Sequence, residues 1–165
     1  MGDKKKTMYI ETTIPSYATA RASNDLIKAS RQALTRLFWE KDRHNYDLYI
    51  SQYVIDECSR GDRDAAQKRL TLIKDIPLLS KSPEIDALAE LYKHLLSIPL
   101  KAEMDAYHMA TAVIYKLDYV LSWNFAHLGF ESYIKLLQYN NAHNFNTPLL
   151  INPDSLNSED KDDVL

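Results

Sequence analysis

Apolar residues along this chain follow two spacings, one typical of short buried strands and the other of amphipathic helices. Runs of three to five residues, rich in β-branched, aromatic and other apolar side chains, are separated by much longer segments. Such short runs bounded by polar residues, glycine or proline are typical of buried strands. We predict strands at residues 7–10, 47–51, 77–79, 119–123 and 148–151.

Between these runs, apolar side chains recur every three or four residues, which is the spacing of one helix face. We predict helices over residues 24–40, 62–73, 82–96, 101–116 and 132–139, with shorter helices after Pro15 and Ser51. Side chains that can cap a helix stand at several of the predicted starts, namely Thr13, Asn24, Ser51, Asp62 and Ser82.

Strands that alternate with helices predict an α/β fold, in which helices cover both faces of a parallel sheet. We expect residues 1–156 to form one domain and the acidic residues 157–165 to be disordered. Ligands of such sheets bind beyond the carboxyl ends of the strands. A polar residue just after a strand can therefore line a site, whereas a residue just before a strand lies at the opposite edge.

Composition and charge narrow the functions that the chain can serve. Of its 165 residues, 45% are hydrophobic and 26% are charged, as in ordinary globular proteins. The single cysteine, Cys58, excludes an intrachain disulfide and a cysteine-based zinc site. No apolar stretch has the length of a membrane span or the form of a signal peptide, so we expect a cytoplasmic protein. The net charge of −3 argues against a protein that coats nucleic acid, but not against an enzyme that meets phosphates through a cation.

Acidic residues at the ends of the predicted strands are the candidates for chemistry. Asp47 and Asp118 precede their strands, so we interpret them as turn formers. Four oxygen-bearing side chains are instead expected at the carboxyl edge of the sheet: Glu11, Glu57, Asp105 and Asn124. Asp105 belongs to this set because the helix that leads into a strand begins at the edge where that strand ends.

Each of these residues also has a structural interpretation when it is taken alone. Glu57 can be a solvated helix residue, Asp105 can complement a helix dipole, and Asn124 can cap a helix. Together they predict a cation site, because clustered carboxylates repel and hard oxygen ligands suit Mg²⁺ or Mn²⁺. His108 and His127 follow Asp105 and Asn124 by three residues. Each could be a hydrogen-bond partner of a site residue or a substrate contact, but we interpret both as structural histidines.

Four segments of the chain resemble the PIN-domain family, in particular VapC-like PIN proteins. Their sequences, in chain order, are YIETTIPSY from residue 9, ISQYVIDE from residue 50, DAYHMATA from residue 105 and LSWNFAHL from residue 121. The resemblance implies a three-layer α/β/α fold with a central, mainly parallel sheet of four or five strands.

The same resemblance implies a divalent-metal-dependent endoribonuclease, often the toxin of a toxin–antitoxin pair. Its acidic positions fall on Glu11, Glu57, Asp105 and Asn124, the first three as ligands of Mg²⁺ or Mn²⁺. Two positions depart from the family pattern, because the first is usually Asp and the fourth is usually acidic. Both departures should weaken cation binding.

Two other functions stay open at this point. One is a catalytically silent PIN-like module that binds RNA or a partner protein, which the departures at Glu11 and Asn124 suggest. The other is a different acidic α/β phosphohydrolase, for which Glu11 is a poor nucleophile. For a ribonuclease we expect an RNA substrate and an antitoxin partner. The apolar residues of the helices from Asn24 and Ser82 predict a homodimer.

Overall fold

The predicted apolar runs form one parallel sheet in the computed structural model, which describes residues 2–125 and 128–156. Its five strands lie in the order β3-β2-β1-β4-β5. They are β1 (Lys6–Ile10), β2 (Tyr46–Ser51), β3 (Leu78–Leu79), β4 (Tyr119–Leu121) and β5 (Leu149–Ile151). The predicted disordered tail at residues 157–165 and His127 lie outside the described residues.

Helices connect the strands and cover both faces of the sheet, which confirms the three-layer α/β/α fold. They are α1 (Thr13–Thr19), α2 (Leu26–Glu40), α3 (Gln52–Cys58), α4 (Arg63–Ile73), α5 (Pro83–Leu95), α6 (Glu103–Ile114) and α7 (Phe130–Ala142). Helix α1 packs against α2 and α4, whereas α5 packs against α6 and α7. Within the described part of the chain, no helix combines the length and the apolarity needed to cross a membrane.

The order of the strands creates a switch point between β1 and β4. The chain moves from β1 to β2 and β3 in one direction, then crosses back to β4 and continues to β5 in the other. Because parallel crossovers are right-handed, the two directions place their helices on opposite faces of the sheet. A crevice therefore opens beyond the carboxyl ends of β1 and β4, where Ile10 pairs with Leu121.

Two clusters of buried apolar side chains hold the layers together. One cluster joins the strands to Ile14 of α1, Phe38 of α2, Val54 of α3 and Ile73 of α4. The other joins α5, α6 and α7, and its members include Ile85, Leu88, Ala89, Tyr92, Ala106, Met109, Ala110, Val113 and Leu136. Full burial of an aliphatic side chain contributes about 1.5–3 kcal/mol, so both clusters fix the relative positions of sheet and helices.

The apolar side chains along one face of α5 are buried inside the protein rather than exposed on its surface. Ile85 and Tyr92 are fully buried, whereas Leu26 and Ile27 at the start of α2 are 86% and 68% exposed. Of the two helices from which a homodimer was predicted, α2 has exposed large apolar side chains among the described residues and α5 has none. The homodimer itself stays a prediction.

The predicted helix caps are confirmed at two helices and wrong at three others, one of which is α1, where the cap position is Thr12 rather than Thr13. The side chains of Asp62 and Ser82 accept hydrogen bonds from the first turns of α4 and α5. At α2 the cap is Asp25, one residue after Asn24, and its carboxylate accepts from the backbone of Lys28. Ser51 stands at the start of α3 but makes no cap bond, because its hydroxyl bonds to another side chain that is described below.

Strand β4 is shorter than the sequence predicts. The prediction continued the strand to Trp123, whereas β4 ends at Leu121. The backbone of Ser122 still bonds to Ile151, but its hydroxyl bonds to the side chain of Glu11. Residues 122–124 thus leave the sheet at the switch point.

Candidate active site

Glu11 follows β1 directly and lies at the bottom of the crevice, where its side chain is 2% exposed. Its Oε2 accepts three hydrogen bonds: from the backbone of Thr13 at 3.0 Å, from the Thr13 hydroxyl at 2.5 Å and from the Ser122 hydroxyl at 2.7 Å. Donors to a carboxylate stabilise its charged form, which otherwise would be costly at a buried position. These three bonds hold the Glu11 carboxyl group in place beside the end of β4.

Glu57 belongs to α3 and reaches the same crevice from the β2 side. Its Oε1 accepts from the Thr12 hydroxyl at 2.7 Å and lies 2.5 Å from Nε2 of His108. An ionised carboxylate has no hydrogen to donate, so Nε2 of His108 carries the proton of this contact. The side chain of Glu57 is 24% exposed, whereas that of His108 is fully buried.

The second ring nitrogen of His108 also has a partner. Its Nδ1 lies 2.5 Å from the Tyr9 hydroxyl, which in turn lies 2.7 Å from Oγ of Ser51. Tyr9 and Ser51 are buried as well. A continuous chain of hydrogen bonds therefore runs from the end of β2 through the core to Glu57.

The charges of this region shift the pKa values of the pair. Burial opposes the charged form of His108, but the hydrogen bond to Glu57 and the negative charges of Glu11, Glu57 and Asp105 outweigh it and raise the His108 pKa. Burial likewise opposes the Glu57 anion, yet the contacts with His108 and Thr12 lower the pKa of Glu57. Both shifts favour the charged form of the group concerned and thus favour an ion pair between Glu57 and His108.

Asp105 lies in the first turn of α6 and is 8% exposed. Its Oδ1 is 3.4 Å from Nδ2 of Asn124, whose backbone N–H donates to the Ser122 hydroxyl at 2.9 Å. Since Ser122 also donates to Glu11, a short path of contacts links Asp105 to Glu11 across the end of β4.

The structure thus brings together the four residues that the sequence singled out. Glu11 and Asn124 follow β1 and β4, Glu57 stands on α3, and Asp105 enters from α6. By contrast, Asp118 precedes β4 and bonds to Thr7 near the start of β1, at the opposite edge of the sheet.

Three participants were not predicted from the sequence. Ser122 follows β4 directly, so the rule that selected Glu11 could have selected it too. His108 lies one helical turn after Asp105, a spacing that suggested a neighbour of the site, although we interpreted it as structural. It is fully buried, as that interpretation implies, but it also contacts Glu57. Tyr9 carries no sequence signal, because an inward-facing tyrosine in a strand is an ordinary core residue.

The carboxylates fit a divalent cation by their donor chemistry. Within the described residues, the hydrogen bonds to Glu11 and Glu57 all fall on one oxygen of each carboxylate, Oε2 and Oε1 respectively. The second oxygen of each accepts no hydrogen bond from those residues. Hard carboxylate oxygens of this kind are suitable ligands for Mg²⁺ or Mn²⁺.

Among residues 2–125 and 128–156, no three His, Cys, Asp or Glu side chains stand together in a metal-binding arrangement. Mg²⁺ commonly uses only one or two carboxylates and completes its shell with water and substrate phosphate. The donor set therefore fits an ion held by two carboxylates, and the set of three ligands stays a prediction.

A cavity of about 620 Å³ lies between the first half of α2 and the ends of β4 and β5, and its lining residues do not include Glu11, Glu57, Asp105 or Asn124. Ser122 and Trp123 are among its lining residues. The guanidinium carbon of Arg31 lies over the Trp123 ring, 5.3 Å from its centroid. The ring nitrogen of Trp123 donates to Thr35 at 2.8 Å. The cavity has the size that ligand pockets have, and it borders the site through Ser122, which donates to Glu11.

Comparison with known proteins yields similar folds only. No protein-family model matches the chain, and no curated protein matches it either. The solved structure of VapBC2 from Rickettsia felis, bound to a DNA fragment from their promoter, covers 88% of this chain and 98% of its own, with a TM-score of 0.54 and 12% identity. The structure of FitAB bound to the IR36 DNA fragment covers 89% and 95%, with a TM-score of 0.51 and 15% identity.

Proposed function

We propose that this chain, whose fold is that of a VapC-like PIN protein, is a divalent-metal-dependent endoribonuclease. The observation that carries the proposal is the meeting of Glu11, Glu57, Asp105 and Asn124 at the switch point of the sheet. Ligands of parallel α/β sheets bind at this location. An acidic crevice in a chain of net charge −3 is suited to a phosphodiester only with a cation.

In this proposal Glu11 and Asp105 hold the cation, Mg²⁺ or Mn²⁺. When bound, the cation lowers the pKa of water and neutralises charge on the phosphate. Glu57 presents its free oxygen, Oε2, to the crevice and orients the attacking water by accepting its hydrogen bond. Asn124 keeps an amide oxygen at the fourth position, where it positions that water without adding negative charge. Thr13 and Ser122 keep Glu11 in place.

We also propose an antitoxin as the protein partner. Support comes from the fold, which is shared with the VapBC2 and FitAB complexes. A partner that blocks the crevice would have to satisfy the same carboxylates as the cation does. A basic side chain on an extended segment is the chemistry that does this.

Replacement of Asp105 by Asn tests the nuclease. Asp105→Asn keeps the shape of the side chain and removes its charge. The rate of RNA cleavage should therefore fall by more than the roughly 100-fold loss that follows mutation of a residue behind a metal ligand. Removing one of several clustered charges relieves repulsion, so the melting temperature in EDTA should not fall. Cleavage is measured on a pool of random-sequence RNA oligonucleotides with Mn²⁺. Asp47→Asn, at the exposed opposite edge of the sheet, is the matched control and should cleave like the unaltered chain.

The catalytically silent module is the second candidate, because the described residues hold no cluster of three metal-binding side chains. Isothermal titration with Mn²⁺ distinguishes the two. Saturable binding that Asp105→Asn abolishes supports the nuclease. No heat in the unaltered chain, together with intact RNA, supports the module.

A further inference from the structure

We propose that Tyr9 and His108 are positioning residues that act through Glu57, fixing Oε1 of its carboxylate so that Oε2 faces the crevice. The inference rests on the proposed function for the role of Glu57, but the geometry behind it is independent of that role. It adds two buried residues to the four that the sequence associates with the site.

The His108 ring is held at both of its nitrogens. Nε2 is 2.5 Å from Oε1 of Glu57, and Nδ1 is 2.5 Å from the Tyr9 hydroxyl. The Tyr9 hydroxyl is itself anchored by Ser51 at 2.7 Å. A ring with a partner on each nitrogen has one orientation in which both contacts persist. The position of Glu57 is therefore determined from the core of the sheet.

Neither of these two side chains can act on a substrate directly. Tyr9 and His108 are each fully buried, and Ser51 is 1% exposed. Only Glu57, at 24%, reaches the crevice. Any effect of Tyr9 or His108 on chemistry must therefore pass through Glu57.

The packing of α6 does not require a histidine at position 108. Four neighbouring buried residues of this helix, Ala106, Met109, Ala110 and Val113, are apolar and pack in the cluster with α5, and the buried polar residues beside them are Asp105 and Thr111. A buried polar ring carries a desolvation cost that an apolar side chain would avoid. The contact with Glu57 is the feature that an apolar residue could not replace.

A double-mutant cycle separates positioning from stability. Tyr9→Phe keeps the ring and removes the hydroxyl that bonds to Nδ1 of His108 and to Ser51. With Glu57 present, we expect kcat for RNA cleavage to fall about 10- to 100-fold while KM changes little. In the Glu57→Gln background the same change should cost less than about twofold, because residues that act through one group are not additive.

Tyr92→Phe is the matched control. The Tyr92 hydroxyl is also buried, and it donates to Asn140 at 2.5 Å in the cluster of α5, α6 and α7. Its loss should lower stability by a similar amount and leave kcat unchanged in both backgrounds. Equal losses of kcat from Tyr9→Phe in both backgrounds would assign it a merely structural role and overturn the proposal.

The carboxyl ¹³C signal of Glu57 provides a readout that does not depend on cleavage. It should shift in Tyr9→Phe and stay unchanged in Tyr92→Phe. If the unaltered chain cleaves no RNA, the proposed function fails, and this signal alone decides whether Tyr9 positions Glu57. An unchanged Glu57 signal in Tyr9→Phe would contradict the inference whatever the activity.

Discussion

At the scale of single residues, hydrogen-bond donors hold the side chain of Glu11, which follows β1. A glutamate reaches one methylene farther than the aspartate that PIN proteins usually carry at this position. Thr13 and Ser122 hold the carboxyl group of this longer side chain by donating three hydrogen bonds to its Oε2. The second oxygen of Glu11 accepts no hydrogen bond from the described residues and so stays available to a cation. The longer side chain therefore does not by itself disable the site.

The carboxylate of Asp118 should make stability depend on pH. Its Oδ2 accepts from the backbone of Thr7 at 2.8 Å and from the Thr7 hydroxyl at 3.0 Å, and these bonds lower the pKa of Asp118 below its ordinary value of 3.8. A lowered folded-state pKa stabilises the fold above the ordinary value and loses this effect as the pH falls through the folded-state pKa.

Urea unfolding of the unaltered chain and of Asp118→Asn at pH 7 and at decreasing acidic pH measures this contribution. The stability difference between the two proteins should be largest at neutral pH and shrink below about pH 4. Asp47→Asn, at the same edge of the sheet, is the control and should not reproduce the trend. A difference that stays constant with pH would show that the Asp118 charge is not involved.

At the scale of elements, the start of α2 follows local chemistry to within one residue. Both Asn24 and Asp25 are capping types, so the sequence alone does not distinguish them. The backbone of Asp25 is extended, and its carboxylate accepts from Lys28 at 3.0 Å. This bond satisfies an amide that the helix itself leaves without a partner.

The two candidate caps of α2 should therefore differ in mutational cost. Asp25→Ala removes the cap bond and should lower the free energy of unfolding by about 1 kcal/mol. Asn24→Ala removes an exposed side chain with no cap role, so its effect should stay within about 0.5 kcal/mol. Chemical denaturation of both variants at neutral pH measures these two changes in the free energy of unfolding. Similar losses from the two changes would contradict the assignment of Asp25.

At the scale of the whole molecule, the position of the carboxylates and the net charge of the chain together bear on how RNA would bind. The strand order puts the carboxylates at the switch point between β1 and β4, and the chain as a whole carries a net charge of −3. A protein that neutralised many phosphates with Lys and Arg would instead have a basic excess. Binding of RNA is therefore expected to depend on the cation at the site.

This dependence can be measured as RNA affinity with and without divalent ions. The test uses fluorescence anisotropy of a labelled single-stranded RNA, Ca²⁺ as an ion that need not support cleavage, and EDTA as the metal-free state. Affinity should fall at least about tenfold in EDTA. The slope of log K against log salt should correspond to only about two or three phosphate contacts, at roughly 0.7 per contact. Tight, metal-independent binding with a steep slope would contradict the proposal and indicate a basic surface instead.

Much of the fold and of the site was predictable because both depend on local pattern. The alternation of short apolar runs with helical spacings determined the parallel α/β class, and the strand-end rule selected Glu11, Glu57, Asp105 and Asn124. The rule also correctly set aside Asp118, which bonds to Thr7 at the opposite edge of the sheet. These predictions use only the order and spacing of residues along the chain.

The sequence by itself thus determined which elements form and which edge of the sheet holds the acidic residues. Only the tertiary structure decided how those residues are bonded: Tyr9, on β1, and His108, on α6, are 99 residues apart along the chain. Their contact depends on the register between strands and on how α6 docks, and neither is encoded in local spacing. For the same physical reason, only the tertiary structure showed that Glu57 is paired with His108.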